Sequence, residues 1–253
     1  MDLHLKGKKA LVTGGTRGIG RAIVDELAAE GCDVAFCARN ADQVTETAAD
    51  LGRHGVKVLG SVVDVAEPEA LKVWVDKAAS DLGGLDIVVA NVSALASRND
   101  VEAWRAGFET DVMATVNTME AAQPHVLRSE SGSMIAISSV SGVSASAPVN
   151  AYNPMKSAVI TYMALLATNL APKGVRANTV SPGTIYFDDG VWGTCKREDP
   201  DRFAFMIKRN PMGRMGTPEE IAAAVAFLAS SRAGFVTGAN LVVDGAITGR
   251  VQF

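Results

Sequence analysis

Apolar residues come in short unbroken runs along this chain, and between the runs they recur at helical spacing. The stretch "KALVTG" at 9–14 is continuously apolar and stops at glycine, the mark of a strand buried on both faces. The next stretch, "GIGRAIVDELAAEG" at 18–31, spaces its apolar residues by three and four and predicts an amphipathic helix with a glycine stop. The alternation then repeats. It predicts strands at 32–38, 56–65, 85–91, 132–139, 175–183 and 239–245, and helices at 41–55, 67–82, 101–123, 150–171, 200–208 and 217–229. Such a pattern implies an α/β fold, a doubly wound sheet of seven parallel strands with helices on both faces. No linker or repeat interrupts it, so residues 1–253 are expected to form a single domain. One stretch breaks the rhythm. "TIYFDDGVWGTCKREDPD" at 184–201 reads as a long irregular loop, and the region 184–215 is expected to be a lid over a site.

Composition narrows the class. Hydrophobic residues at 48% against 21% charged can build a full core and exclude a disordered chain. The net charge of −4 and the lack of a basic stripe argue against nucleic acid as a partner. No apolar run reaches the roughly 20 residues of a membrane helix, so no membrane association is expected. The N-terminal "MDLHLKGKKALVTGG" leads straight into a strand and shows no signal peptide. Cys32, Cys37 and Cys195 lack zinc spacing and suit a reducing, cytoplasmic setting. His4, His54 and His125 are far apart in sequence, so no metal site is expected.

The candidate chemistry begins with "TGGTRGIG" at 13–20, between the first strand and the first helix. Gly14, Gly18 and Gly20 permit a tight turn and close backbone approach, and a helix N-terminus there attracts phosphate. Thr16, Arg17 and Ile19 complete this loop as candidate cofactor contacts. A carboxylate at the end of the second strand would bind the ribose 2′-hydroxyl of NAD. This chain has Ala38 there, followed by Arg39. Arg17 and Arg39 together match a 2′-phosphate, and predict NADP(H).

A second motif lies in "AYNPMKSAV" at 151–159, where Tyr152 precedes Lys156 by one helical turn. An isolated phenol holds its proton up to about pH 10, and a neighbouring ammonium favours the phenolate. Pro154, between the two, is tolerable if the helix begins there. Together with Thr13-Gly14-x-x-x-Gly18-Ile19-Gly20, Asp64-Val65, Ser139 and Pro182-Gly183, this motif resembles the short-chain dehydrogenase/reductase family in its compact form, akin to 3-oxoacyl thioester reductases. The resemblance spans essentially the whole chain. It implies a Rossmann fold and an oxidoreductase in which Tyr152 is the general acid or base. Lys156 would support Tyr152 and bind the nicotinamide ribose, and Ser139 would position the substrate oxygen. Asp64 and Val65 would border the adenine, and Asn91 the cofactor ribose. Pro182, Gly183 and Ile185 would line the nicotinamide.

Three positions depart from the family pattern. Ala90-Asn91-Val92-Ser93 replaces Asn-Asn-Ala-Gly, Asp111 replaces the catalytic asparagine, and Phe187 replaces a threonine. In the family the residue at 111 holds a water that links the lysine to solvent. Aspartate is expected to do the same with an added negative charge. Tyr186, Phe187, Trp192, Phe203, Phe205 and Met206 would make an aromatic pocket wall under the lid. Some of them could equally pack the lid onto the body. The expected reaction is hydride transfer between NADP(H) and a hydrophobic ketone or secondary alcohol. For an acyl-carrier partner, Lys196, Arg197, Lys208 and Arg209 are the only basic candidates. The apolar helices at 101–123 and 150–171 suggest a homodimer contact, and the resemblance a homotetramer, with "GRVQF" at 249–253 reaching a neighbour. The alternative is a non-catalytic NADP-binding sensor. An epimerase would need a further substrate domain, for which the chain has no segment.

Overall fold

A computed structural model describes residues 2–145 and 148–249. Of the C-terminal "GRVQF", all but Gly249 lies outside the described residues. Seven strands form one parallel sheet: β1 (Lys9–Thr13), β2 (Asp33–Ala38), β3 (Val58–Val62), β4 (Ile87–Ala90), β5 (Ser133–Ile137), β6 (Arg176–Pro182) and β7 (Asn240–Val243). Their order across the sheet is β3-β2-β1-β4-β5-β6-β7. The chain therefore reverses its direction of travel between β1 and β4, the switch point at which such sheets open a crevice for ligands.

Nine helices carry the crossovers and the C-terminal region among the described residues. They are α1 (Gly18–Ala29), α2 (Ala41–Leu51), α3 (Pro68–Leu82), α4 (Val101–Gly107), α5 (Ala114–Val126), α6 (Tyr152–Leu170), α7 (Val191–Glu198), α8 (Pro200–Arg209) and α9 (Pro218–Ala229). Side chains alternate across each strand, so neighbouring residues of β1 serve opposite cores. Val12 joins Ile23 and Leu27 of α1 and Ile221 and Val225 of α9. Leu11 joins Trp74 of α3, Met119 of α5 and Met163 of α6. Both layers are sealed, which is why the strands read as unbroken apolar runs.

Three expectations need correction. The stretch 184–201 is not wholly irregular, because α7 occupies Val191–Glu198 within it. The helix expected at 101–123 is not continuous either. Between α4 and α5, residues Phe108–Met113 widen into a π-helical turn. Such a turn slips the hydrogen-bond ladder by one residue and often marks a functional site. The strand expected at 56–65 is shorter, Val58–Val62. Pro154 falls in the first turn of α6, where its missing N–H costs nothing.

Candidate active site

Because all seven strands run parallel, the residues that follow them emerge at one edge of the sheet. Gly14 follows β1, Arg39 follows β2, Asn91 follows β4, Ser139 lies two residues beyond β5, and Gly183 follows β6. Asp64 and Val65 follow β3 on the same edge, with Val65 buried and Asp64 half exposed. Topology alone therefore gathers these strand-end candidates.

The glycine loop has two features of an anion cradle. No side chain caps the N-terminus of α1, so its first N–H groups have no capping side chain as a partner. Gly18 takes φ of +52°, a left-handed conformation natural to glycine. A Cβ at Gly18 would also come 2.5 Å from Cζ of Phe187. The ring of Phe187 thus rests on the glycine loop from the lid side. Across the switch point, Asn91 braces the loop. Its Nδ2 donates to the carbonyls of Thr13 and Gly14 at 3.1 and 3.2 Å, and its backbone N donates to Thr13 Oγ1 at 3.0 Å. Thr16 Oγ1 donates to Gln43 Oε1 at 3.2 Å, and Ile19 packs on the α1 side of the core. These features fit a dinucleotide pyrophosphate.

The ribose end is basic. Arg17 and Arg39 are both exposed, and Ala38 ends β2 without a carboxylate. Arg39 Nη1 is 4.0 Å from Asp64 Oδ2, a loose pairing that leaves the guanidinium free to turn to another anion. The segment that follows β6 is tied to its neighbours. Gly183 N donates to Val243 O at 2.9 Å, and Ile185 is buried and bridges to Gly216. Pro182 is the buried last residue of β6.

The reacting end is built on α6. Tyr152 is its first residue and Lys156 lies one turn on, with Nζ 5.6 Å from the Tyr152 ring centroid. Lys156 Nζ donates to Ile137 O at 3.1 Å, and Ser138 Oγ donates to Lys156 O at 2.8 Å. The same β5 terminus thereby anchors both Ser139 and the lysine. Ser139 Oγ accepts the N–H of Ser141 at 3.1 Å, which leaves its own hydroxyl proton free to donate elsewhere.

Asp111 brings its negative charge directly to Lys156: its Oδ1 stands 2.9 Å from Lys156 Nζ, and the two side chains are 1% and 2% exposed. The π turn places Asp111 there. Asp111 Oδ1 also accepts from Ser93 Oγ at 2.5 Å, and Oδ2 accepts from Ala94 N at 3.0 Å. Ser93 is the residue sequence reasoning missed. The available signal was that two departures from one pattern, at 93 and 111, occur in the same chain.

The stretch 184–206 is less apolar than its aromatic content implies. Tyr186 and Phe203 meet edge to face with centroids 5.7 Å apart. Lys196 Nζ lies 5.1 Å from the centre of the Tyr186 ring, and the Tyr186 hydroxyl donates to Asp188 Oδ1 at 2.7 Å. Arg202 stacks over Trp192. Several lid aromatics therefore hold the lid together, while Phe205 stays exposed. The cysteines take no part: burial pushes the thiols of Cys32 and Cys37 up to about 12. The histidines lie away from this edge, each beside an aspartate: His4 at Asp2, His54 at Asp25 and His125 at Asp76.

Fold, loop and Tyr–Lys turn together describe an NAD(P)-type oxidoreductase. Comparison with known proteins agrees. Residues 14–248 match the family model described as enoyl-(acyl carrier protein) reductase. The chain is 36% identical to isoepoxydon dehydrogenase of Penicillium expansum over 98% of each protein. It is 33% identical to 3-oxoacyl-(acyl-carrier-protein) reductase of Chlamydia muridarum, over 97% of this chain and 99% of that one. Among solved structures, L-sorbose reductase from Gluconobacter frateurii complexed with NADPH and L-sorbose superposes with a TM-score of 0.91 at 31% identity, covering 99% of this chain and 100% of that one. The chain belongs to the short-chain dehydrogenase/reductase family.

Proposed function

We propose that this protein transfers hydride between NADP(H) and an uncharged ketone or secondary alcohol. The observation that supports the reading is the Tyr152–Lys156 turn at the start of α6, tied to the end of β5 through Ser138 and Ile137, on the sheet edge where α1 begins with an uncapped N-terminus. When bound, the nicotinamide supplies or accepts the hydride. Tyr152 donates a proton from its hydroxyl to the carbonyl oxygen, or takes one from the alcohol in reverse. The free Ser139 hydroxyl proton points the carbonyl oxygen at that phenol. Lys156 keeps a positive charge beside the phenol and reaches the nicotinamide ribose.

Arg17 and Arg39, with Ala38 rather than a carboxylate at the end of β2, favour NADP(H) over NAD(H). Gly14, Thr16, Gly18, Ile19 and Gly20 would hold the pyrophosphate. Asp64 and Val65 would border the adenine, Asn91 the ribose, and Pro182, Gly183 and Ile185 the nicotinamide. The aromatic lid side chains favour an uncharged substrate with an apolar flank. We also read the protein as a cytoplasmic homotetramer or homodimer. Three free cysteines and the exposed Phe108, Leu165 and Phe235 support that reading. No helix among the described residues is long and apolar enough to cross a membrane.

The test is consumption of NADPH, beside NADH, with a panel of diketones, aryl ketones, ketoses, 3-oxoesters and 3-oxoacyl thioesters. Turnover of one class with NADPH is expected. NADPH binding with silence across the panel, and across the matching alcohols with NADP⁺, overturns the enzymatic reading in favour of a sensor.

A further inference from the structure

The two departures nearest the reacting groups are joined. Ser93 stands where the family carries glycine, Asp111 where it carries asparagine, and Ser93 Oγ donates to Asp111 Oδ1 at 2.5 Å. The same oxygen faces Lys156 Nζ at 2.9 Å. Asp111 thus has two hydrogen-bond donors, the Ser93 hydroxyl and the Ala94 N–H, and one ion-pair partner, the Lys156 ammonium. A carboxylate this deeply buried is stable only when its lone pairs are matched by donors. Glycine at 93 would remove one of them. Ser93 is itself held, because its Oγ accepts the N–H of Leu95 at 3.1 Å. The acceptor and donor capacities of that hydroxyl are therefore both used.

We infer that Ser93 and Asp111 act as one positioning unit for Lys156. The unit holds Lys156 in a direct, buried ion pair. Asp111 fixes the ammonium against the Ile137 carbonyl, and Ser93 fixes the rotamer of Asp111. Neither residue touches the reacting carbonyl. Their effect passes through Lys156 to Tyr152, so the inference rests on the function proposed above.

The test compares wild type with Ser93→Ala, Ser93→Thr, Asp111→Asn and the Ser93→Ala/Asp111→Asn double variant. Kinetics use NADPH and the best ketone of the panel. A misplaced catalytic group costs between about ten- and a hundredfold, and Ser93→Ala is expected to lower kcat on that scale while the Kd for NADPH stays within about twofold. Ser93→Thr, which keeps the hydroxyl, is expected to restore most of kcat. The double variant is expected to be slower than Asp111→Asn by much less than the Ser93→Ala factor, because interacting residues do not combine independently. Crystal structures of wild type and Ser93→Ala supply a readout free of substrate. The Lys156 Nζ–Asp111 Oδ1 contact is expected to lengthen or the carboxylate to rotate. An unchanged contact, with independent effects on kcat or on thermal midpoint, overturns the inference. Should the wild type reduce no ketone, the function fails, and the contact and the thermal-midpoint cycle still decide the coupling.

Discussion

A Cβ on Gly20 would lie 1.9 Å from the carbonyl oxygen of Gly14 and 2.5 Å from Asn91 Nδ2. The first turn of α1 thus packs directly under the end of β1. An obstructing backbone oxygen cannot move aside like a flexible side chain. Gly20→Ala is therefore expected to push α1 off β1, lower the thermal midpoint, and weaken NADPH binding by about tenfold or more. Titration of cofactor fluorescence measures the second effect. An unchanged Kd would show that the loop does not hold the pyrophosphate.

Tyr152→Phe separates an enzyme from a sensor. The variant keeps the ring on α6 and removes only the hydroxyl. The expected loss of kcat is about a hundredfold or more, with NADPH affinity intact, because general acid–base catalysis contributes on that scale. Retained turnover would move the proton-transfer role to another group.

Arg39→Ala tests cofactor choice. A charge-assisted hydrogen bond contributes about 1.5–3 kcal/mol, so losing it is expected to raise the KM for NADPH between about ten- and a hundredfold. KM for NADH, which lacks the 2′-phosphate, is expected to stay nearly constant. Equal changes for both cofactors would mean that Arg39 reads something common to them.

Glu220 gives a pH-dependent prediction for stability. Its carboxylate pairs with Arg214 and accepts the Thr217 N–H at 2.9 Å, forming the capping box of α9. The Arg214 guanidinium and then the Thr217 N–H pull its pKa down from the ordinary carboxylate range to about 2. A depressed pKa means the contribution is present above the unfolded value and is lost as pH falls towards the folded one. Glu220→Gln is expected to cost about 1 kcal/mol or less near neutrality, since the pair is partly exposed. The difference in thermal midpoint between variant and wild type should close as pH falls from about 4.5 towards 2. A difference independent of pH would count against the pair.

Most of the fold was legible because the inner strands are buried on both faces and glycines punctuate the crossovers. The failures have local causes. In α7, "VWGTCKRE" looks unlike a helix because of Gly193 and its β-branched neighbours. Gly193 is needed there for another reason: a Cβ would lie 2.0 Å from Asp188 O. The π turn at Phe108–Met113 was invisible because a one-residue slip leaves the apolar spacing almost unchanged. Tyr152, Lys156 and Asp111 could be found by motif and offset. Ser93 left only the weaker signal of a second departure from the family pattern, because its partner is 18 residues away and the bond exists only once β4 and the π turn are placed side by side.

The turn after β4 now has a wider meaning. Asn91 reaches back to the Gly14 carbonyl and Ser93 reaches forward to Asp111, with only Val92 between them. Cofactor loop and buried ion pair thus hang from neighbouring pegs on one short span of chain. That span has a fixed gauge. Inserting or deleting a single residue would let at most one of the two grips survive, so loops exchanged with relatives must match here in length before they match in sequence.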